Sequence, residues 1–328
     1  MSKNHWYLFT LLALLFFFTS SAQDSVKQEY FRLTKTLPLR DVAGSISGSD
    51  INLKDTTLYL VFTESNTIVV VNFMSGKTLG IISGVLKPRK VCYIADTDEL
   101  FITTETSKCF FYSSKNYKQL AKINIMSPSN PVIYEENSKK IYLGYEEGIK
   151  VVDINSHKIE GFLPLYYEPK NLKIDRSKKR LYVTLPDCFE TSVIDLNLFK
   201  PVIAWESDYL LENAMEIDTI NQNVFLATRK PTKLVVITAL TGKKTYVNLP
   251  IPRIRNMHFD NNTKRLYISG DDKILIIEKS PTEYKIVSDI KIVGRVNHSF
   301  FIPFLKLFII IKERQFKAET ELLIYQVS

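Results

Sequence analysis

The chain has 328 residues, 45% of them hydrophobic and 24% charged, with a formal net charge of +8. That balance belongs to a folded globular protein and excludes a disordered or collagen-like chain. The positive charge would suit an anionic partner. No Lys/Arg run is interleaved with aromatics, so a single-stranded nucleic-acid groove is not expected.

At the N-terminus, Lys3 and the free amine form a short positive region. An apolar run from Leu8 to Phe18 follows, then the small residues Thr19-Ser20-Ser21-Ala22. This order predicts a secretory signal peptide over 1–22, cleaved after Ala22. The apolar run is too short to cross about 30 Å of hydrocarbon. The mature chain, 23–328, is expected to be secreted or periplasmic, monomeric, and without a membrane span. Its charge is +7 once Lys3 is gone.

Next comes an isolated strand pattern, Phe31 to Leu39 (FRLTKTLPL), and then a repeat. An aliphatic-aromatic pair opens a β-rich run in LYLVF, LFITT, IYLGY, LYVTL, VFLAT, LYISG and LFIII. The aromatics are Tyr59, Phe101, Tyr142, Tyr182, Phe225, Tyr267 and Phe308, spaced 40–43 residues apart. A weak strand and a polar turn precede each (KIDRSKKR, EIDTINQN, HFDNNTKR). A second apolar strand follows (TIVVVN, KLVVIT, KILIIE), then a turn and a fourth strand. Four short strands per 40–45 residues define a propeller blade. The sequence therefore predicts an all-β, seven-bladed β-propeller with four-stranded antiparallel blades. The last unit lacks a fourth strand, and the strand at 30–39 is expected to complete blade 7 and close the ring.

LYVTL at 181–185, VIDLN at 193–197 and LTGKK at 240–244 resemble the YVTN family of β-propeller repeats. The likeness spans roughly residues 40–328, and the Ser/Thr-Gly-Lys turn survives only at Ser75-Gly76-Lys77 and Thr241-Gly242-Lys243. These motifs imply a fold, not an activity. WD40 and kelch repeats fit less well, because the chain has no Trp-Asp dipeptide and no Gly-Gly pair.

In such a ring the loop leading into each first strand reaches the channel mouth. Counting back from the seven aromatics brings two columns together there. The first is Ser47, Arg89, Asn130, Lys170, Asn213, Arg255 and Val296. The second is Gly48, Lys90, Pro131, Asn171, Ala214, Asn256 and Asn297. Candidate ligand-binding residues are therefore Arg89, Lys90, Asn130, Lys170, Asn171, Asn213, Arg255, Asn256 and Asn297. No acid is among them, and Arg and Asn suit a carboxylate, phosphate or other hydrogen-bonding ligand. Replacing Arg89, Lys170 and Arg255 by Ala is expected to abolish binding. Phe189 and Phe316, on loops of the same face, are candidate anchors for a protein partner.

No catalytic constellation, cofactor motif or metal-ligand spacing is found. His157 falls in a hairpin turn of the opposite face, and strand alternation is expected to point His258 and His298 to opposite sides of their strands. Cys92 and Cys109 fall on the first and third strands of one blade, too far apart for a disulfide. The primary expectation is an exported, non-enzymatic binding module for a small anionic or polar ligand or for a protein partner. Fold-level resemblance to lactonases and quinone-dependent dehydrogenases keeps an enzyme as the alternative. However, the mature chain keeps only Trp205 for aromatic docking and shows no acid cluster. A scaffold subunit of a cell-surface complex is the third reading.

Overall fold

The computed structural model describes residues 30–40, 42, 44–280, 283–313 and 319–328. The signal peptide expected over 1–22 and the candidate anchor Phe316 lie outside the described residues. Blade 1 comprises β2 (Gly48–Asn52), β3 (Thr57–Phe62), β4 (Thr67–Asn72) and β5 (Thr78–Ser83). Blade 2 is β6 (Pro88–Ile94), β7 (Glu99–Thr104), β8 (Lys108–Ser113) and β9 (Gln119–Asn124). Blade 3 is β10 (Ser129–Glu135), β11 (Lys140–Tyr145), β12 (Gly148–Asp153) and β13 (Lys158–Pro164). Blade 4 is β14 (Asn171–Asp175), β15 (Arg180–Leu185), β16 (Glu190–Asp195) and β17 (Lys200–Glu206). Blade 5 is β18 (Leu211–Asp218), β19 (Asn223–Thr228), β20 (Lys233–Thr238) and β21 (Lys244–Asn248). Blade 6 is β22 (Ile254–Asp260), β23 (Arg265–Gly270), β24 (Lys273–Lys279) and β25 (Tyr284–Lys291). Blade 7 joins β26 (Arg295–Ile302), β27 (Leu307–Glu313) and β28 (Thr320–Val327) to β1 (Phe31–Leu39), which runs antiparallel to β28. The innermost strands touch in sequence around the ring, and β26 meets β2, so the circle closes.

The turns into the second strands share one device. Asn52, Asp175, Asp218 and Asp260, each ending a first strand, accept hydrogen bonds from backbone N–H groups two or three residues on. Such Asx turns tolerate a left-handed residue. Thr56, Asp98, Lys139, Lys179, Gln222 and Lys264 occupy that conformation three residues before their aromatics.

The core lies between blades. Tyr59 joins the apolar layer between blades 1 and 2, Phe101 that between 2 and 3, and Tyr142 that between 3 and 4. Tyr182 and Phe225 do the same for the next two interfaces. All seven repeat aromatics are buried, and the middle strands are buried on both faces. That is why they read as unbroken apolar runs.

The seventh copy is offset by one residue. In blade 6, Asp260 faces Arg265 across the turn and His258 faces Tyr267; in blade 7, Ile302 faces Leu307 and Phe300 faces Ile309. Ile309, not Phe308, thus holds the repeat position and joins the layer between blades 7 and 1. Phe308 faces the preceding blade, 5.8 Å from Tyr267 between ring centroids. A one-residue slip flips every side chain on a strand. The expectation for the histidines therefore changes: His298 occupies the position of Asn256, two residues from that of His258. The two rings lie on the same side of their strands, each bonded to the blade that follows.

Cys92 and Cys109 sit on β6 and β8 with β7 between them, and neither these nor Cys188 forms a disulfide. His157, in the β12–β13 turn, is stacked on Phe111 at 4.1 Å and bonded to Glu99 at 2.9 Å. No helix among the described residues is long and apolar enough to cross a membrane.

Candidate anion site at the channel mouth

Three of the first-column residues are β-bulges. The register skips from Pro88 to Lys90, from Ile254 to Asn256 and from Val296 to His298. Arg89, Arg255 and Asn297 are the extra residues. A bulge bends its strand and re-aims side chains, which is how a sheet edge builds a site. Corrected for the slip in blade 7, the columns end in Asn297 and His298.

These turns enclose a cavity of about 350 Å³, lined by residues of blades 1, 2, 5, 6 and 7. Of the candidates named from the sequence, Lys90, Arg255, Asn256 and Asn297 line it, together with Ser47. Arg253, Arg295, His298 and Glu212 line it too, and the column count did not find them. Arg253 precedes the counted columns, and His298 was displaced by the offset in blade 7. Arg89, Lys170 and Asn171 lie outside this cavity. Lys170 is instead paired with Glu168. Asn130 and Asn213 sit on β10 and β18.

The lining holds four cationic side chains and one carboxylate. Acids absent from the columns reach the cations from other positions. Arg255 Nε donates to Asp271 Oδ1 at 2.6 Å. Arg295 Nε lies 3.9 Å from Glu313 and donates to Asn297 Oδ1 at 3.3 Å. Glu212 accepts from Arg229 Nε at 2.8 Å, leaving Arg253 Nε 3.9 Å away. The Arg253 Nε–H is buried and has no hydrogen-bond partner. An unpaired buried donor costs on the order of 1–3 kcal/mol.

Lys90 reaches this cavity across Gly48. A Cβ on Gly48 would stand 2.6 Å from Arg89 O and 3.1 Å from Lys90 Cδ, so only glycine admits the bulged chain. Lys90 Nζ donates to Ser47 O at 3.0 Å. Burial, and secondarily the Arg89 charge, push its pKa down to about 8. His298 donates from Nε2 to Ile46 O at 3.2 Å, which leaves Nδ1 to accept from Ser49 Oγ at 3.0 Å. Burial, then Lys90, lower its pKa to about 3. The ring is neutral and contributes polarity, not charge.

Deeper in the channel, Lys173 and Glu216 of blades 4 and 5 pair at 2.9 Å. Burial, then the Lys173 charge, take His258 down to about 3. Asp50 accepts from Tyr93 N at 2.7 Å, yet burial raises its carboxyl to about 6.

On the same face, Phe189 ends a 3-10 turn (Pro186–Cys188) in a left-handed conformation and is half exposed. Nearby, a cavity of about 470 Å³ is lined by Leu165, Tyr166, Tyr167, Leu185 and Cys188 among others.

No family model matches the chain, and no curated protein matches it. Its fold is nevertheless that of many solved structures. A chain of the mitotic checkpoint complex matches with a TM-score of 0.75 at 13% identity, covering 90% of this chain and 91% of that one. The RRP9 WD40 repeats match with 0.77 at 10%, covering 91% and 100%. U3-55K matches with 0.75 at 11%, covering 92% and 99%. At these identities the likeness establishes the β-propeller fold and nothing finer.

Proposed function

We propose that this chain is an exported, non-enzymatic binding propeller that takes a small anion at the channel mouth. The carrying observation is the cavity lined by Lys90, Arg253, Arg255 and Arg295 and by the single carboxylate Glu212; Asp271 and Glu313 engage Arg255 and Arg295 from outside the lining, while Lys90 pairs with no carboxylate among the described residues. The leader pattern at 1–22 supports export, and LYVTL, VIDLN and LTGKK support kinship with YVTN repeats. Charge-assisted bonds to an anion are worth about 1.5–3 kcal/mol each. Titration calorimetry with inorganic phosphate and succinate is expected to detect binding that weakens as salt rises. The Arg253→Ala and Arg255→Ala variants are each expected to bind at least about tenfold more weakly. Unchanged affinity in the double variant, or no heat from either anion, would overturn the assignment.

The aromatic face gives a second reading, docking of a protein partner. Tyr166 is fully exposed, at 101% of its reference area, and Tyr167 and Phe189 are each 44% exposed. Aromatic side chains so placed are the usual anchors of protein interfaces. A partner co-purified from the native host should be lost from a Tyr166→Ala, Phe189→Ala variant. Its retention there would argue against this face.

A further inference from the structure

We propose that the Lys90 amine captures small anions bearing an aldehyde or ketone, such as α-keto acids, as a covalent imine. The inference deepens the anion-binding reading, because the same cavity would hold the carboxylate. Three features of position carry it. The amine is delivered to the cavity by the bulge at Arg89 and by the bare backbone of Gly48. Among the described residues its hydrogen bond goes to a neutral carbonyl, Ser47 O, and no carboxylate pairs with it. The cavity lining is mostly cationic, Arg253, Arg255 and Arg295 against Glu212, with Asp271 and Glu313 engaging Arg255 and Arg295 from outside it. Arg89 on its own strand and the neutral His298 on β26 complete its surroundings, with Asp50 farther down β2.

This setting activates a lysine. A desolvated ammonium beside other cations gives up its proton readily, and the neutral amine is the nucleophile. A pKa of about 8 for Lys90 supports this. Its neutral fraction at pH 7.5 is then about two orders of magnitude above that of an ordinary exposed lysine. In the step itself, the Nζ lone pair attacks the carbonyl carbon and a C–N bond forms. The carbonyl oxygen takes up a proton as the nitrogen loses one, giving a carbinolamine. Loss of that oxygen as water leaves the C=N bond. Amine and carbonyl thus become imine and one water, with no redox partner. A carboxylate on the same molecule can meet Arg255 or Arg253 across the cavity.

The test is reductive trapping on the full mature protein. Glyoxylate, which carries an aldehyde and a carboxylate, and propanal, which is neutral, are each added with cyanoborohydride at pH 7.5, and modified lysines are mapped by peptide mass. Lys90 is expected to react at least about tenfold faster than the exposed Lys54 and Lys285 with both probes. Glyoxylate is expected to favour Lys90 further, inorganic phosphate to slow that reaction, and Lys90→Arg to abolish the product at this position. Modification of Lys90 no faster than that of Lys285 with both probes would overturn the capture role, even if phosphate still binds. Fast propanal labelling without glyoxylate preference or phosphate protection would support the activated amine and count against the anion site. Gly48→Ala, which displaces Lys90, is expected to slow labelling at Lys90 while leaving Lys54 and Lys285 unchanged.

Discussion

Deleting Phe31–Leu39 is expected to abolish cooperative folding of the whole ring. The strand contributes more than a fourth strand and a third hydrogen-bonded ladder to blade 7. Phe31 is buried against Phe308 at 5.2 Å and against Tyr325 and Tyr267 at 5.5 Å, so it ties blade 7 to blade 6. Leu39, 1% exposed, lies in the apolar layer between blades 7 and 1. One strand therefore seals two interfaces. Thr34 Oγ1 adds a bond to Ile324 O at 2.9 Å. Without it, β28 becomes an unpaired edge and both layers open to water.

The magnitudes are large. Truncating a buried Phe to Ala costs about 3–5 kcal/mol and a buried Leu about 2–5. Total stability of a domain is only about 5–15 kcal/mol. Phe31→Ala alone is expected to lower the melting temperature by about 6–20 °C, at about 2–4 °C per kcal/mol for a large single domain. Circular dichroism melts check both variants. Leu79→Ala on the outer strand β5 serves as a control, because Leu79 is 47% exposed. Its effect is expected to stay near 0.5 kcal/mol. A deletion variant that melts cooperatively within a few degrees of the parent would refute the clasp.

The blade count and the clasp were legible because both rest on burial. Residues that must fill the space between blades recur at a fixed period, and Phe31 to Leu39 reads as a strand with no partner of its own. The offset in blade 7 was not legible. Leu307 to Ile311 is apolar at every position, as a strand buried on both faces must be, so it carries no alternation from which parity could be read. Phe308 satisfied the repeat pattern while facing the wrong blade. Part of the lining of the candidate cavity was legible as well. Lys90, Arg255, Asn256 and Asn297 followed from the repeat, whereas the bulges that aim them leave no mark in composition. Nor could spacing foresee that Glu168 would hold Lys170, or that Asp271 would reach Arg255 from the next turn.

Acid is expected to destabilise the ring through His258 and His298, well before ordinary carboxylate titration is complete. Each ring is held neutral. His258 Nε2 lies 3.0 Å from Ser299 Oγ, and both nitrogens of His298 are engaged by Ile46 and Ser49. Burial lowers both pKa values to about 3, aided by Lys173 beside the first and Lys90 beside the second. Because the unfolded value is near 6.5, the folded state binds fewer protons between pH 6.5 and 3. The stabilisation is fully present above pH 6.5 and is lost as pH falls toward 3, by up to about 1.4 kcal/mol per pH unit for each ring. Asp50 acts in the opposite sense. Its carboxyl is raised to about 6 by burial, so protonation between pH 6 and 3.8 relieves a penalty and cancels roughly one histidine. The net slope between pH 6 and 4 is therefore about one histidine's worth, about 1.4 kcal/mol per unit. Asp96 and Asp98, lowered by hydrogen bonds from Lys139 and Lys115, add their loss only at lower pH. Urea unfolding at pH 7, 6 and 5 reads the slope directly. A His258→Gln, His298→Gln variant should reverse it, becoming more stable as Asp50 protonates. If the parent's midpoint is flat across this range, or the double variant keeps the parent's slope, the buried histidines do not govern acid stability. Asp50→Asn is then the informative partner: with the opposing group removed, the parent histidines should give about twice the slope.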